Sequence, residues 1–337
     1  MSVGPALSRL EGPSSAAPFV GTARPVGPSG AGGREPWQRQ IGPELMLLAV
    51  AVIWGGSYAF AKHVTLQVTV LQYLSLRFGL TALLLTPALL TEWRRAAQPW
   101  GWAQALGLGV MLLGIFVCET VGITLTSATH AAFLISLCVA FTPLVEWLVL
   151  GQRPSLRVAA AVVLCVLGAA LLSPGVVLQP LSNVGDGLML LAALLRALMV
   201  TFTRRSADRI RIPALALTAV QAWVVFVGST VALVLVSTGA DVPHVPVDAG
   251  FWLSLLFLVI FCTIFAFFAQ NHAASRTSPT RVSFLMGSEP VFGAVFGWLM
   301  FADRLTLHAW LGCALILVAT YGVVLAPAQA RVKAAQA

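Results

Sequence analysis

The sequence predicts an all-α membrane protein of ten transmembrane helices, arranged as two inverted five-helix repeats. Three observations carry that prediction. Apolar residues make up 58% of the 337 residues and charged residues only 9%, with a mean hydropathy of +0.90, whereas about a quarter of the residues of a soluble domain are charged. After Glu44 the chain is almost filled by apolar segments of about 18 to 25 residues, each long enough to cross a hydrocarbon core of about 30 Å as a helix. Finally, the stretch from Thr126 to Leu171 recurs about 151 residues later. The runs are continuous rather than alternating, which excludes a β-barrel.

Taken in order, residues 1–43 are rich in Gly, Pro, Ser and Ala with scattered Arg, a composition that cannot bury enough surface to fold, so they read as a disordered cytoplasmic tail. Their basic residues are not followed by an apolar core and cleavage site, so the first span is expected to direct insertion. The first repeat, 44–173, holds spans at 44–64, 70–91, 101–124, 128–150 and 155–173. The second, 185–326, holds spans at 186–204, 213–237, 250–274, 279–301 and 305–326, and 327–337 form a second cytoplasmic tail. Pro99, Pro154 and Pro213 open spans and Ser173-Pro174-Gly175 closes the first half, because proline lacks the N–H a helix interior needs.

Both copies of the repeat open on Thr-Ser and carry a Phe-Leu pair (Phe133-Leu134, Phe284-Leu285). Each then has an internal proline, a small polar hinge with one basic residue (Gln152-Arg153, Asp303-Arg304) and a last apolar helix. A repeat of this size argues for duplication. If each half crosses the membrane an odd number of times the halves are inverted, a recurring plan of secondary transporters.

The net charge of +8 follows the membrane. Of the 20 Lys and Arg residues, sixteen fall on one side: Arg9, Arg24, Arg34, Arg39, Arg94, Arg95, Arg153, Arg157, Arg204, Arg205, Arg209, Arg211, Arg276, Arg281, Arg331 and Lys333. Lys62 and Arg304 fall on the other, and Arg77 and Arg196 lie inside spans. The positive-inside rule therefore puts both termini in the cytoplasm, and the expected location of the multi-pass chain is a plasma membrane, the inner membrane of a bacterium. Nucleic acid is not an expected partner. The five cysteines lie in apolar segments without CxxC or metal spacing, and read as small core residues.

Ionisable residues inside a span are costly enough to mark the bundle interior. They are Arg77, Glu119, Glu146, Arg196 and Glu289. At 1.5 Å per residue, Arg196 and Glu289 fall near mid-span, roughly 15 Å from either face, and can meet; Arg77 and Glu119 lie about 8 to 10 Å below the outer face and form a second expected pair. As ion pairs they would set only packing and register; as chamber residues, one member of each would bind substrate charge or exchange protons. Glu289, beside Pro290 at mid-depth, is the sharper candidate. Glu146 is expected to reach interfacial water or Arg153, and His130 and His272 to be interface residues. Gln270 occupies the repeat position of Glu119, so a lining role is open to it. Trp54 and Tyr58 either form an aromatic wall or flank glycines that serve close helix packing. Pro143 and Pro290 each free a backbone carbonyl one turn earlier, giving a structural kink or a hinge.

These residues together resemble the EamA-type transporters of the drug/metabolite transporter superfamily. The likeness runs from 44 to 326. It rests on Trp54-Gly55 in the first span, Arg77-Phe78 in the second, the run Ser136 to Pro143 ending near Gln152-Arg153-Pro154, and Ser288-Glu289-Pro290-Val291 followed by Asp303-Arg304-Leu305-Thr306. The resemblance implies ten helices in two inverted repeats around a central cavity. It also implies alternating-access movement of small metabolites, often amino-acid-like and frequently outward. Two departures stand out: Gln152 replaces the usual acidic residue, and Arg196 stands where a Trp is usual, which hints at an anionic or zwitterionic solute.

The expected function is secondary transport of a small polar or amphipathic metabolite by proton or solute exchange. Its substrate site would be built from Trp54, Tyr58, Arg77, Glu119, Arg196, Gln270 and Glu289, with hinges at Pro143 and Pro290. Expected partners are the metabolite, the lipid bilayer, the proton as coupling ion and a second copy of the chain, with no cofactor. No Walker A sequence is present, so ATP is not the direct energy source. A passive channel, indifferent to pH gradients, and a lipid-handling protein, active only on acyl or isoprenoid substrates, are the competing readings. An intramembrane enzyme is disfavoured by the lack of HExxH, GxSxG or paired aspartates on adjacent spans.

Overall fold

Long apolar segments in lipid must satisfy every backbone polar group internally, and the helix does so within a single segment. In a computed structural model that describes residues 38–95, 99–126, 128–172, 184–207, 212–237, 248–301 and 306–325, all regular structure is helical. The helices are α1 (Gln38–Thr65), α2 (Val70–Arg95), α3 (Pro99–Leu125), α4 (Ala128–Ser136), α5 (Cys138–Leu150), α6 (Leu156–Leu172), α7 (Val184–Ser206) and α8 (Ala214–Val236). They continue with α9 (Ala249–Val259), a π segment (Ile260–Phe265), α10 (Ala266–Ala274), α11 (Pro279–Met286), α12 (Glu289–Phe301) and α13 (Leu307–Val324). Among the described residues eight stretches are long and apolar enough to cross a membrane, and two shorter apolar runs, Gly42–Ser57 and Leu156–Leu172, accompany them. Helix α1 starts six residues before the expected first span; the remainder of both expected tails and the Asp303-Arg304 hinge lie outside the described residues.

Local chemistry sets several ends. Gly151, at φ 73°, closes α5 in the left-handed conformation with its N–H on Trp147 O, the position where a side chain would be strained. Ser278, Asp248 and Thr306 cap α11, α9 and α13 by accepting a first-turn backbone N–H, and Pro279 starts α11 where its missing N–H costs nothing.

Three expected spans are interrupted. The fourth breaks at Leu137 between α4 and α5, and the ninth at Gly287-Ser288 between α11 and α12. With the repeat offset of 151, Leu137 corresponds to Ser288, so the breaks match. They also approach each other, since a Cβ on Gly287 would run into Val139 Cγ2. Neither break is centred on an expected hinge: Pro143 lies inside α5, and Pro290 is the second residue of α12.

The eighth span contains the π segment, and burial explains its presence. Buried Ala105, Leu108 and Leu112 are answered by buried Leu255, Leu258 and Cys262, 150 residues on; buried Ile115, Cys118 and Gly122 are answered by Ala266, Ala269 and Ala273, 151 residues on. One extra residue has entered between the two sets, and a π turn, with its i→i+5 bonding, absorbs it without breaking the helix.

Packing follows the same exchange of halves. Helices α2 and α8, and α6 and α13, each pack on their own counterpart, and α5 packs on α11, the counterpart of α4. The α3–α7 contact is answered by α1 against α9, the π segment and α10, and α5–α7 by α1–α12. Close approach is built from glycine: a Cβ on Gly168 would stand 2.7 Å from Gly312 O, and one on Gly312 2.6 Å from Gly168 O, which holds α6 against α13. The largest buried apolar cluster joins α2, α3, α8 and α9, and the polar residues gather beside it.

Candidate functional site

Helices α1 and α7 carry the same burial pattern 142 residues apart. Leu47, Val50, Ala51 and Gly55 are buried on α1, and Met189, Ala192, Ala193 and Ala197 on α7. That register places Trp54 opposite Arg196 in the exchange of halves, as the repeat places Glu119 opposite Gln270. The four residues define two matched corners of unequal chemistry.

The charged corner joins α3 to α7. Arg196 Nη2 donates to Glu119 Oε2 at 2.6 Å, and Glu289 lies within electrostatic reach of the same guanidinium. The Arg196 guanidinium also stands over the Trp54 ring, 5.6 Å from its centroid, a cation–π geometry. The pair sits deep among protein atoms, yet the two side chains keep 24% and 22% of their accessibility. The pair joins a helix of the first half to one of the second and keeps part of its surface accessible.

The neutral corner is Trp54 and Gln270. Trp54 Nε1 donates to Cys262 O at 3.0 Å, and its ring meets Phe267 at 5.8 Å. Gln270 is buried, 4% exposed, and its Oε1 accepts no hydrogen bond among the described residues. Gly55 brings α1 against α12, since a Cβ there would stand 2.7 Å from Gly293 N and 2.9 Å from Glu289 O. The packing reading of this stretch is the one the geometry carries: Gly55 admits the backbone of α12. The Tyr58 side chain lies outside the described residues, as does that of His130.

Arg77 differs from expectation. Its Nε donates to Thr263 Oγ1 at 2.7 Å, Nη1 to Tyr73 Oη at 2.7 Å and Nη2 to Cys262 O at 3.1 Å. The rings of Tyr73, Phe78 and Phe116 surround it at 5.7 to 5.8 Å. The expected Arg77–Glu119 ion pair is not formed, and Glu119, rather than Glu289, is the hydrogen-bonded partner of Arg196. The reason is topological. Depth along a span does not say which helix a residue faces; α3 packs on α7, whereas α2 packs on α8 and on α9 with its π segment.

The π segment is the structural feature beside these residues that sequence reasoning missed. Its Cys262 carbonyl receives both Trp54 and Arg77, and its Thr263 hydroxyl, which also donates to Leu258 O, receives Arg77. The only trace in the sequence is the change of repeat offset from 150 to 151, visible once burial fixes the register.

Glu146 also departs from its expected place at the interface. It is 5% exposed and accepts from Thr280 N at 3.0 Å and, in a short bond, from Thr280 Oγ1. Its carboxylate thereby ties α5 of the first half to the first turn of α11, where the helix dipole favours negative charge. Arg281, one residue on, reaches Glu44 of α1 at 3.2 Å, so two acids of the first half hold the start of α11. Arg153 stacks instead on Trp147, 5.9 Å from its centroid. Among the described residues no three His, Cys, Asp or Glu side chains gather to hold a metal, and the five cysteines are free thiols.

A bundle with eight described stretches of this length and apolarity is that of a multi-pass membrane protein. The EamA-like transporter family model matches twice, over residues 42–173 and 183–325, and the chain belongs to that family. An uncharacterized transporter of Archaeoglobus fulgidus is 27% identical over 281 residues, spanning 83% of this chain and 85% of that protein. A solved crystal structure, described only as that of a protein, shares the fold at a TM-score of 0.68 and 18% identity, covering 85% of this chain and 97% of its own.

Proposed function

We propose that this transporter moves a small polar or amphipathic metabolite, amino-acid-like and in the outward direction, by alternating access of two inverted five-span halves. The ten spans would be the eight long stretches with α1 and α6, repeats at 44–173 and 185–326, in a bacterial plasma membrane with both termini cytoplasmic. One observation carries the reading: Arg196 and Glu119, hydrogen-bonded between the halves at the bundle centre, remain about a quarter accessible. Lipid facing would make that exposure prohibitive, whereas a substrate chamber needs it.

In the proposed mechanism Trp54 and Tyr58 supply the aromatic side of the site, and Gln270 a buried acceptor. Arg77, already bonded to neutral oxygens, holds the π segment in place and fixes the field. Arg196 exchanges Glu119 for a substrate carboxylate, while Glu289 takes up the proton that returns the empty carrier. The halves pivot at the matched breaks beside Pro143 and Pro290. The experiment is reconstitution into proteoliposomes, with a solute found by thermal-shift screening of a metabolite library. Uptake driven by a pH gradient should lose its pH dependence in E289Q while solute binding persists. Full pH-driven flux in E289Q would remove Glu289 from the mechanism, and flux indifferent to pH in the parent protein would favour a passive facilitator.

A further inference from the structure

The end of the second half that carries Arg204 and Arg276 contains a cavity of about 590 Å³ between the ends of α7 and α10 and the start of α8. Its apolar wall includes Leu217 and Phe268, and its polar wall includes Asn271, His272 and Arg276. Arg276 Nη1 lies 2.7 Å from His272 Nδ1 and 3.2 Å from His272 O. A guanidinium can only donate, so Nδ1 must accept, which fixes His272 as a neutral ring with a donor left on Nε2. Arg204 beside it gives Nη1 to Ser275 O at 2.6 Å. Among the described residues neither arginine forms an ion pair with a carboxylate. The start of α8, with Pro213 as an N-cap that supplies no side-chain bond, also borders the cavity. Polar donors with excess positive charge thus stand over an apolar wall.

The matching place in the first half lacks this chemistry. Counting back 151 residues, Arg276 and His272 correspond to Leu125 and Val121. The scaffold therefore does not require the cations. The cavity is also remote from the ion pair at the centre, since Arg204 is eight residues along α7 from Arg196, roughly 12 Å. Basic pockets between spans at headgroup depth suit anionic headgroups. We propose that this cavity binds a phosphate group, with Arg276 and the His272 Nε2–H as its donors and the apolar wall receiving the adjoining chain of a lipid.

The test needs no transported solute and is therefore independent of the transport mechanism. The unfolding midpoint of the full chain is measured in micelles of a phosphate-free maltoside detergent, with phosphatidylglycerol or with inorganic phosphate added. Phosphatidylglycerol should raise it by a few degrees. R276A and R276Q should lose most of that shift, while R157A, an exposed arginine on α6 far from the cavity, keeps it. A shift with phosphatidylglycerol alone identifies a lipid headgroup; an Arg276-dependent shift with inorganic phosphate identifies the free anion. Equal shifts in the parent and both Arg276 variants, or no shift with either anion, overturn the proposal.

Discussion

At matched positions of its two halves the molecule places a salt bridge and a pair of neutral side chains. Arg196 bonds Glu119, while their counterparts are Trp54, bonded to Cys262 O, and Gln270, whose Oε1 accepts nothing among the described residues. The surrounding scaffold is alike: Leu47, Val50 and Ala51 match Met189, Ala192 and Ala193, all buried. The neutral corner demonstrates that close packing here does not require charge. Placing an ion pair in the equivalent corner, inside an apolar bundle, carries a desolvation cost that packing gives no reason to accept. The difference separates what the two halves share, a frame, from what only one corner carries, an ion pair.

The largest effect should come from erasing that difference. The double variant R196W with E119Q gives the charged corner the residue types of the neutral one. It should fold, within about 2 kcal/mol of the parent, because removing both ions relieves as much desolvation as it loses attraction. Transport in proteoliposomes should fall more than about 100-fold, as expected when roughly 3 kcal/mol of substrate or transition-state interaction is lost. R196W alone leaves Glu119 without its partner and should cost about 3 kcal/mol of stability, toward the lower end for a stranded buried charge because water reaches the site. A double variant that transports like the parent would make the pair structural.

A smaller effect tests the frame. Gly55 and Ala197 occupy matched buried positions, and a Cβ on Gly55 would stand 2.7 Å from the Gly293 backbone N. G55A should cost about 1 to 3 kcal/mol by overpacking α1 against α12, whereas A197G should cost about 1 kcal/mol, the ordinary helix penalty. Thermal unfolding measures both. Equal costs would mean that the two helices are packed alike and that the asymmetry stops at the polar residues.

Much of the frame was legible in the sequence because membrane helices announce themselves by length and hydropathy, and the repeat fixed which stretches correspond. The pairing of charges was not. Arg77 and Glu119 share a depth, but facing depends on which helices adjoin, and α2 adjoins α8 and the π-containing span. Glu146 read as interfacial since four residues from a span end looks shallow; its burial comes from α11, whose Thr280 is 134 positions away in sequence. The span breaks at Leu137 and Gly287-Ser288 have no proline of their own, since Pro143 lies inside α5 and Pro290 inside α12, so the sequence does not mark them. The π segment had no composition of its own, only a one-residue change in repeat spacing that burial was needed to reveal.

The smallest effect lies at the surface, where the halves differ again. Asp248 caps α9, and its carboxyl is held below the ordinary aspartate value chiefly by the Phe251 N–H and then by the Gly250 N–H, with His63 at 3.7 Å adding attraction. The position 150 residues earlier is Gln98, which cannot ionise. A lowered folded value means that the carboxylate stabilises the fold above the unfolded aspartate value of about 3.9, and that this contribution is lost as pH falls through the folded value. D248N keeps a capping oxygen and removes only the charge. It should lower the unfolding midpoint slightly at neutral pH, less than either change above because the groups are half exposed. The gap from the parent should close as the medium is acidified past the carboxylate range. Hydrogen exchange should place the change in the first turn of α9. A gap that persists unchanged in acid would assign the effect to shape rather than charge, and the two halves would then differ electrostatically only at their centre.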